Sequence, residues 1–276
     1  MAAALALLTS GLYGTADFFG GLATRRNNAV VVLFVGQTVG MIGLAVTLPL
    51  FGAVFAWRDL GIGAGAGLIG LAGLALLYRG LAKGPMAVVA PLTAITAAVV
   101  PVGWDLVDGA RPSTATSIGM VTGLVAIAVV SIELDTTRPS VSASTVFEAL
   151  AAGFGFGLFF VLISRTSPES APWPVMGSRV VSVALLGLVV AARRLPLTHR
   201  RDRRVMVGSG LCDTGANITF LLALEYGSLA PVAVLSSLYP AATVIWARVV
   251  LGERIDRQRT IGLCAAVASV ALIAGG

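Results

Sequence analysis

Long apolar stretches separated by short polar turns run the whole length of the chain, and they fall into two sets of five. They lie near residues 2 to 23, 29 to 50, 62 to 82, 85 to 104, 114 to 133, 145 to 165, 174 to 192, 205 to 225, 229 to 250 and 260 to 274. A helix of about 20 apolar residues is what a crossing of roughly 30 Å of hydrocarbon requires. The runs are continuous instead of alternating in ten-residue units, and lipid offers a backbone no hydrogen-bond partner, so helices are expected and barrel strands are not. The pattern therefore predicts an all-α, polytopic membrane protein with ten transmembrane helices. An odd number of crossings per half turns the second half over in the bilayer, giving two five-helix inverted-topology repeats over residues 1–138 and 139–276.

The two halves share one ruler. Residue 84 falls over 227 and residue 109 over 252, both 143 apart and without a gap. At that offset Val107, Gly109, Arg111, Ile118 and Gly119 fall on Val250, Gly252, Arg254, Ile261 and Gly262. In a chain this rich in small apolar residues the shared order of spans and turns carries more weight than these identities.

Composition agrees with membrane embedding. Hydrophobic residues make up 57% of the 276 positions and charged residues 12%, with a mean hydropathy of +0.93, far from a soluble domain. The net charge of +6 is concentrated in alternate connections. Arg25, Arg26, Arg79, Lys83, Arg138, Arg193, Arg194, Arg200, Arg201, Arg203, Arg204, Arg248, Arg254, Arg257 and Arg259 lie in or beside the odd-numbered ones, against Arg58, Arg111 and Arg165 in the even-numbered ones. The positive-inside rule then places the odd connections in the cytoplasm and both termini outside. The basic run from Arg193 to Arg204 reads as a loop facing anionic headgroups, not as a nucleic-acid site. No basic segment precedes the first apolar run, which carries Tyr13 and Asp17, so residues 1–23 read as a span and not as a cleaved signal. Cys212, Cys264 and the sole histidine, His199, supply neither a disulfide framework nor a metal site; no cofactor is expected.

Leu251-Gly252-Glu253-Arg254 before Ile261-Gly262, the five-plus-five layout, and short fourth and ninth spans introduced by small residues and proline resemble the drug/metabolite transporter superfamily, specifically its ten-helix members with two EamA domains. The resemblance covers essentially the whole chain. It departs from the family pattern at Ala110, which stands where a first-half counterpart of Glu253 would be, and at Tyr13-Gly14 in place of a tryptophan before glycine. The resemblance implies a multi-pass protein of the cell membrane that exports a small metabolite such as an amino acid or hydrophobic organic compound, with both termini in the cytoplasm, opposite to the orientation that the charge bias gives. It does not specify an oligomeric state.

Inverted repeats are typical of secondary transporters, whose solute site lies near the bilayer midplane. A charge within hydrocarbon costs at least about 2.5 kcal/mol, so each intramembrane ionisable residue is a functional candidate. Asp213 lies near the middle of the eighth span, with Asn217 one turn later and Thr214 beside it. Arg179 in the seventh span, Gln37 in the second and Asp17 in the first complete a set of a cation, carboxylates and amides. Such a set suits an amphipathic or zwitterionic solute, with Arg179 on a carboxylate and Asp213 on an amine or a proton; alternatively, Arg179 and Asp213 pair with one another and lock adjacent helices. Asp213 and Asp17 are the proton-coupling candidates.

Pro91, Pro101 and Pro240 predict kinks in the fourth and ninth spans. Pro240 would free the carbonyl of Ser236 beside Ser237 and Tyr239, which makes Ser236 and Tyr239 candidate solute contacts; the competing reading is that the proline only shapes the bundle. Trp104, Trp246 and Tyr78 read as interfacial anchors, with Tyr78 also a candidate cavity residue. The offset places Gly70, Leu74, Gly36 and Phe160 opposite Asp213, Asn217, Arg179 and Asp17. The polar groups therefore break the pseudo-symmetry, as an asymmetric solute would require.

A transporter needs no catalytic constellation. An intramembrane enzyme would need a nucleophile with a base, or a metal cluster, and the spans carry neither pattern. A non-transporting scaffold or receptor would tolerate Asp213→Asn without functional loss. The expected partners are the lipid bilayer, a small-molecule solute and protons, with no nucleic acid.

Overall fold

The structure is a computed structural model that describes residues 1–24, 27–83, 86–131, 142–197, 202–251 and 257–276; for residues 78, 80–83, 86–88, 90, 91, 131, 247 and 251 the backbone alone is described. The arginines at 25, 26, 138, 200, 201 and 254, His199, the Gly252-Glu253 turn and the expected boundary at residue 138 lie outside the described residues.

Eleven α-helices follow one another, with no strand among the described residues: α1 (Ala2–Thr24), α2 (Ala29–Thr47), α3 (Trp57–Lys83), α4 (Met86–Val107), α5 (Thr114–Ser131), α6 (Ala143–Ile163), α7 (Trp173–Ala192), α8 (Arg203–Leu224), α9 (Leu229–Ser236), α10 (Tyr239–Leu251) and α11 (Arg257–Gly275). Eight candidate spans are long and apolar enough to cross a bilayer, counting Leu229–Val250 as one, and Leu92–Val107 and Thr114–Val130 are shorter apolar helices. All ten expected segments are thus helical, in an all-α polytopic membrane fold.

Two departures from the sequence expectations have local physical causes. The ninth span is broken instead of kinked. Ser237 and Leu238 form a turn in which the Ser237 N–H donates to Ala233 O at 2.9 Å and the Leu238 N–H to Leu235 O at 3.2 Å. Pro240 is then the second residue of α10, where an amide hydrogen has no helical acceptor to lose. α4, by contrast, holds Pro91 and Pro101 without interruption.

The third span starts five residues earlier than its apolar stretch, at Trp57. Asp59, 1% exposed, accepts from Ser170 Oγ at 2.7 Å and the Ser167 N–H at 3.0 Å, and pairs with Arg58 at 3.0 Å. A carboxylate so fully satisfied can be folded into a helix end that hydropathy excludes.

The helices interleave across the two halves. The closest partners are α1 with α8, α3 with α6, α4 with α6, α3 with α7, α2 with α7 and α8, and α5 with α11. Exchanging each span for its counterpart five places along preserves the pairings: α1 on α8 becomes α6 on α3, α3 on α7 becomes α8 on α2, and α4 on α6 becomes the ninth span, α9 and α10, on α1.

Small residues permit the close approach. A Cβ at Gly67 would lie 2.6 Å from Ser178 Cα, and one at Gly153 would lie 2.6 Å from Thr96 Cβ. Side-chain hydroxyls then bridge the backbones, with Ser209 Oγ donating to Ala16 O at 2.8 Å and Ser269 Oγ to Gly119 O at 2.7 Å. This is how helices associate where lipid supplies no hydrophobic drive. After α4, Gly109 takes φ +95°, a backbone that favours glycine, and the Ala110 N–H closes onto Asp105 O at 2.9 Å.

Because α2 and α8 meet through Gly36 and Gly210, Gly210→Val should push them apart at a cost of about 1–3 kcal/mol. The measurement is the thermal unfolding midpoint in detergent: a clear drop is expected, and an unchanged midpoint would contradict this packing.

Candidate solute site

A cavity of about 140 Å³ lies between α1, α2, α3, α6, α7 and α8. Each helix turns residues one turn apart toward it: Tyr13 and Asp17 from α1, Ser178 and Ser182 flanking Arg179 from α7, Asp213 and Asn217 from α8. The i, i+4 spacing puts each pair on one face. Phe156, Phe159 and Phe160 of α6, with Leu71, Leu74 and Leu77 of α3, make the opposite wall apolar. On the α3 side Gly67 and Gly70 let Ser178 of α7 and Phe159 of α6 pack closely.

Its electrostatic centre is the contact between α7 and α8. Arg179 is 3% exposed. Its Nη1 pairs with Asp213 Oδ2 at 2.6 Å and also donates to the Gln37 side-chain oxygen. Gln37 Nε2 lies 3.5 Å from the same Asp213 oxygen, so one side chain from each of α2, α7 and α8 closes a triangle. Arg179 Nε and Nη2 are buried and have no hydrogen-bond partner among the described residues. The Asp213 side chain stays 31% exposed.

Asn217 is fixed from both sides. Its Nδ2 donates to the Asp213 carbonyl at 2.7 Å and its Oδ1 accepts from Tyr13 Oη at 3.1 Å. The Tyr13 ring lies 6.2 Å from that of Phe160 and 6.5 Å, edge-on, from that of Tyr239, which tilts the aromatic groups toward the polar cluster.

Of the expected residues, Asp17, Gln37, Arg179, Asp213, Asn217 and Tyr239 are brought together here. The ion-pairing alternative for Arg179 and Asp213 is realised, but on the cavity wall and not in a sealed core. Asp17 lines the cavity.

Two residues depart from their expected places, and one falls outside the described side chains. Ser236 is completely buried with its Oγ unpartnered and does not line the cavity, because the break that frees its carbonyl leaves the short α9 surrounded by other helices. The Tyr78 side chain lies outside the described residues. Trp246, expected as an interfacial anchor, donates from Nε1 to Thr15 Oγ1 at 2.7 Å and stacks 6.3 Å from Phe18, so it joins α10 to α1. Tyr13, Ser178, Ser182 and the Phe156 face escaped the sequence reading; a hydroxyl one turn before Asp17 and serines bracketing Arg179 were the available signals.

Residues 143–275 match the EamA-like transporter family. A crystal structure of a protein superposes on 98% of this chain and 95% of its own with a TM-score of 0.80 at 18% sequence identity, a likeness of fold. No curated protein matches the sequence.

Because Arg179 is far more buried than Asp213, Asp213→Ala should destabilise the protein more than Arg179→Ala, since only the first strands a buried cation. The double variant should recover about 1–3 kcal/mol of the summed losses. Thermal unfolding of the three variants in nanodiscs gives this coupling, and simple additivity would contradict a direct pair.

Proposed function

We propose that the chain is a multi-pass membrane transporter that moves a small metabolite by alternating access around the central cavity; the match of residues 143–275 to the EamA-like transporter family supports this reading. The observation that carries this reading is the Arg179–Asp213–Gln37 cluster. It is an asymmetric set of charges and amides that, with Asp17 and Asn217, makes one side of the cavity polar while phenylalanines and leucines of α6 and α3 make the other apolar. A purely structural pair has no need of a cavity beside it.

Two inverted repeats, residues 1–138 and 139–276, are the moving parts of this reading. Its support is the 143-residue offset and the exchange of helix pairings between halves. Rocking one repeat against the other would open the cavity alternately to each side. The solute is a small amphipathic metabolite, an amino acid or hydrophobic organic compound, with its polar end at Arg179, Asp213 and Asn217 and its apolar part against Phe156, Phe159 and Leu74. The driving force is an ion or solute gradient, with Asp213 and Asp17 as proton carriers. Export across the cell membrane is the direction we assign.

The test is uptake and efflux of amino acids and small organic ions in proteoliposomes, with and without a pH gradient, for wild type and Asp213→Asn. Flux that falls about tenfold or more in the variant, the equivalent of one charge-assisted hydrogen bond, is expected. Absence of flux across a broad panel from folded protein would overturn the reading, and undiminished flux in the variant would remove Asp213 from it.

A further inference from the structure

We propose that the solute bears a carboxylate on an apolar body, and that this carboxylate replaces Asp213 on Arg179 while Asp213 takes up a proton. The proposal rests on the transporter reading and names the chemistry of its solute.

The guanidinium is only half used. Nη1 makes both of the cluster's contacts, to Asp213 Oδ2 and to Gln37, while Nε and Nη2 are buried without a partner. Those two nitrogens form one edge of the planar group, and their parallel N–H bonds match the two oxygens of a carboxylate. Buried donors on a charged group are costly to leave unmade, so this edge is a strong unmet demand just behind the cavity wall. A neutral amide offers it one weaker oxygen, and an ammonium offers it repulsion.

The binding event must also disturb the resident pair. Nε and Nη2 are sealed from the cavity, so an incoming carboxylate reaches them only if the guanidinium turns, which withdraws Nη1 from Asp213. Two carboxylates on one guanidinium would leave a net negative charge within the hydrocarbon, which is expensive.

Uptake of a proton removes that charge. One O–H bond forms on Asp213, and the bond that breaks is that of the same proton to hydronium or a buffer acid in the water reaching the cavity. The empty site holds Arg179 cationic and Asp213 anionic; the loaded site holds Arg179 cationic, the solute anionic and Asp213 neutral. Both sum to zero. The other groups facing Asp213 enter both states alike: Asp17 and Tyr13 from α1, Gln37 from α2, Tyr239 at the start of α10 and Cys212 on its own helix. One carboxylate therefore travels with one proton, the step moves no net charge, and export of the pair runs on the solute's own outward gradient, not on an inward proton gradient. Asp213, 31% exposed where Arg179 is 3% exposed, is the partner with access to water and hence to the proton.

The test uses the full protein in nanodiscs and three probes of one shape: 3-phenylpropionate, 3-phenylpropionamide and 3-phenylpropylamine. Titration calorimetry at pH 7 in two buffers of different ionisation enthalpy reads both affinity and protons exchanged. The carboxylate should bind about tenfold or more tighter than the amide, the equivalent of one charge-assisted hydrogen bond, and should take up about one proton per molecule bound, as the charge balance requires.

In Asp213→Asn, an isosteric change, carboxylate binding should persist at equal or greater affinity and proton uptake should vanish. In Arg179→Gln the preference for the carboxylate should disappear, and Arg179→Lys, which keeps the charge without the fork, should restore only part of it. Equal or tighter binding of the amide or amine to wild type would overturn the proposal, as would unchanged proton uptake in Asp213→Asn. Failure of all three probes to bind folded protein would also overturn it. Flux of any other solute in proteoliposomes would then leave the transporter reading standing.

Discussion

The constraint on which the rest of this structure turns is the cost of holding an arginine within hydrocarbon. Arg179 is almost wholly buried, and a cation there is tolerated only if a carboxylate meets it. Asp213 does so from α8, and Gln37 adds a third contact from α2. The helices that carry these side chains are therefore tied at the level of the cavity. Since α7 and α8 lie in one half of the chain and α2 in the other, the same contact joins the two halves at the point where a transporter would need them to communicate.

The surrounding architecture gives that cluster both closeness and space. Glycines on α2, α3 and α8 bring backbones together at Gly36 with Gly210 and at Gly67 with Ser178. On α3, Gly70 lets the Phe159 ring pack against the helix beside the cavity. At the other end of the bundle, polar ties hold connecting segments in place: Asp59 onto Ser167 and Ser170, Asp105 onto the Ala230 amide at the start of α9, and Arg165 onto Asp108. Asp105 meets the positive end of α9, a favourable arrangement for a carboxylate.

The fold was legible because membrane solvation imposes a coarse rule that hydropathy reads directly, and the eleven helices lie where the ten apolar stretches do. What it missed depended on tertiary partners. Asp59 looks like a loop residue until Ser167 and Ser170 satisfy it, and the proline at 240 announces an irregularity without saying whether the helix bends or breaks. The site was legible in its charges, since depth alone singles out Asp17, Arg179 and Asp213. Hydroxyl and aromatic groups such as Tyr13, Ser182 and Phe156 are common in membrane helices, and only the rotation of each helix reveals which of them face inward. Ser236 illustrates the converse: a polar residue beside a freed carbonyl that the packing turns away from the cavity.

The central claim is that the Arg179–Asp213 cluster lines a water-filled, solute-accessible path. It is tested most directly by Leu71→Cys, on the apolar wall facing that cluster, with Cys212 and Cys264 replaced by serine and alanine. The measurement is the rate of alkylation by a membrane-impermeant thiol reagent, with and without a transported solute. Rapid labelling that the solute slows is the predicted result. A Leu71→Cys protein that transports normally but is inert to the reagent, or is labelled at a rate the solute leaves unchanged, would contradict the account.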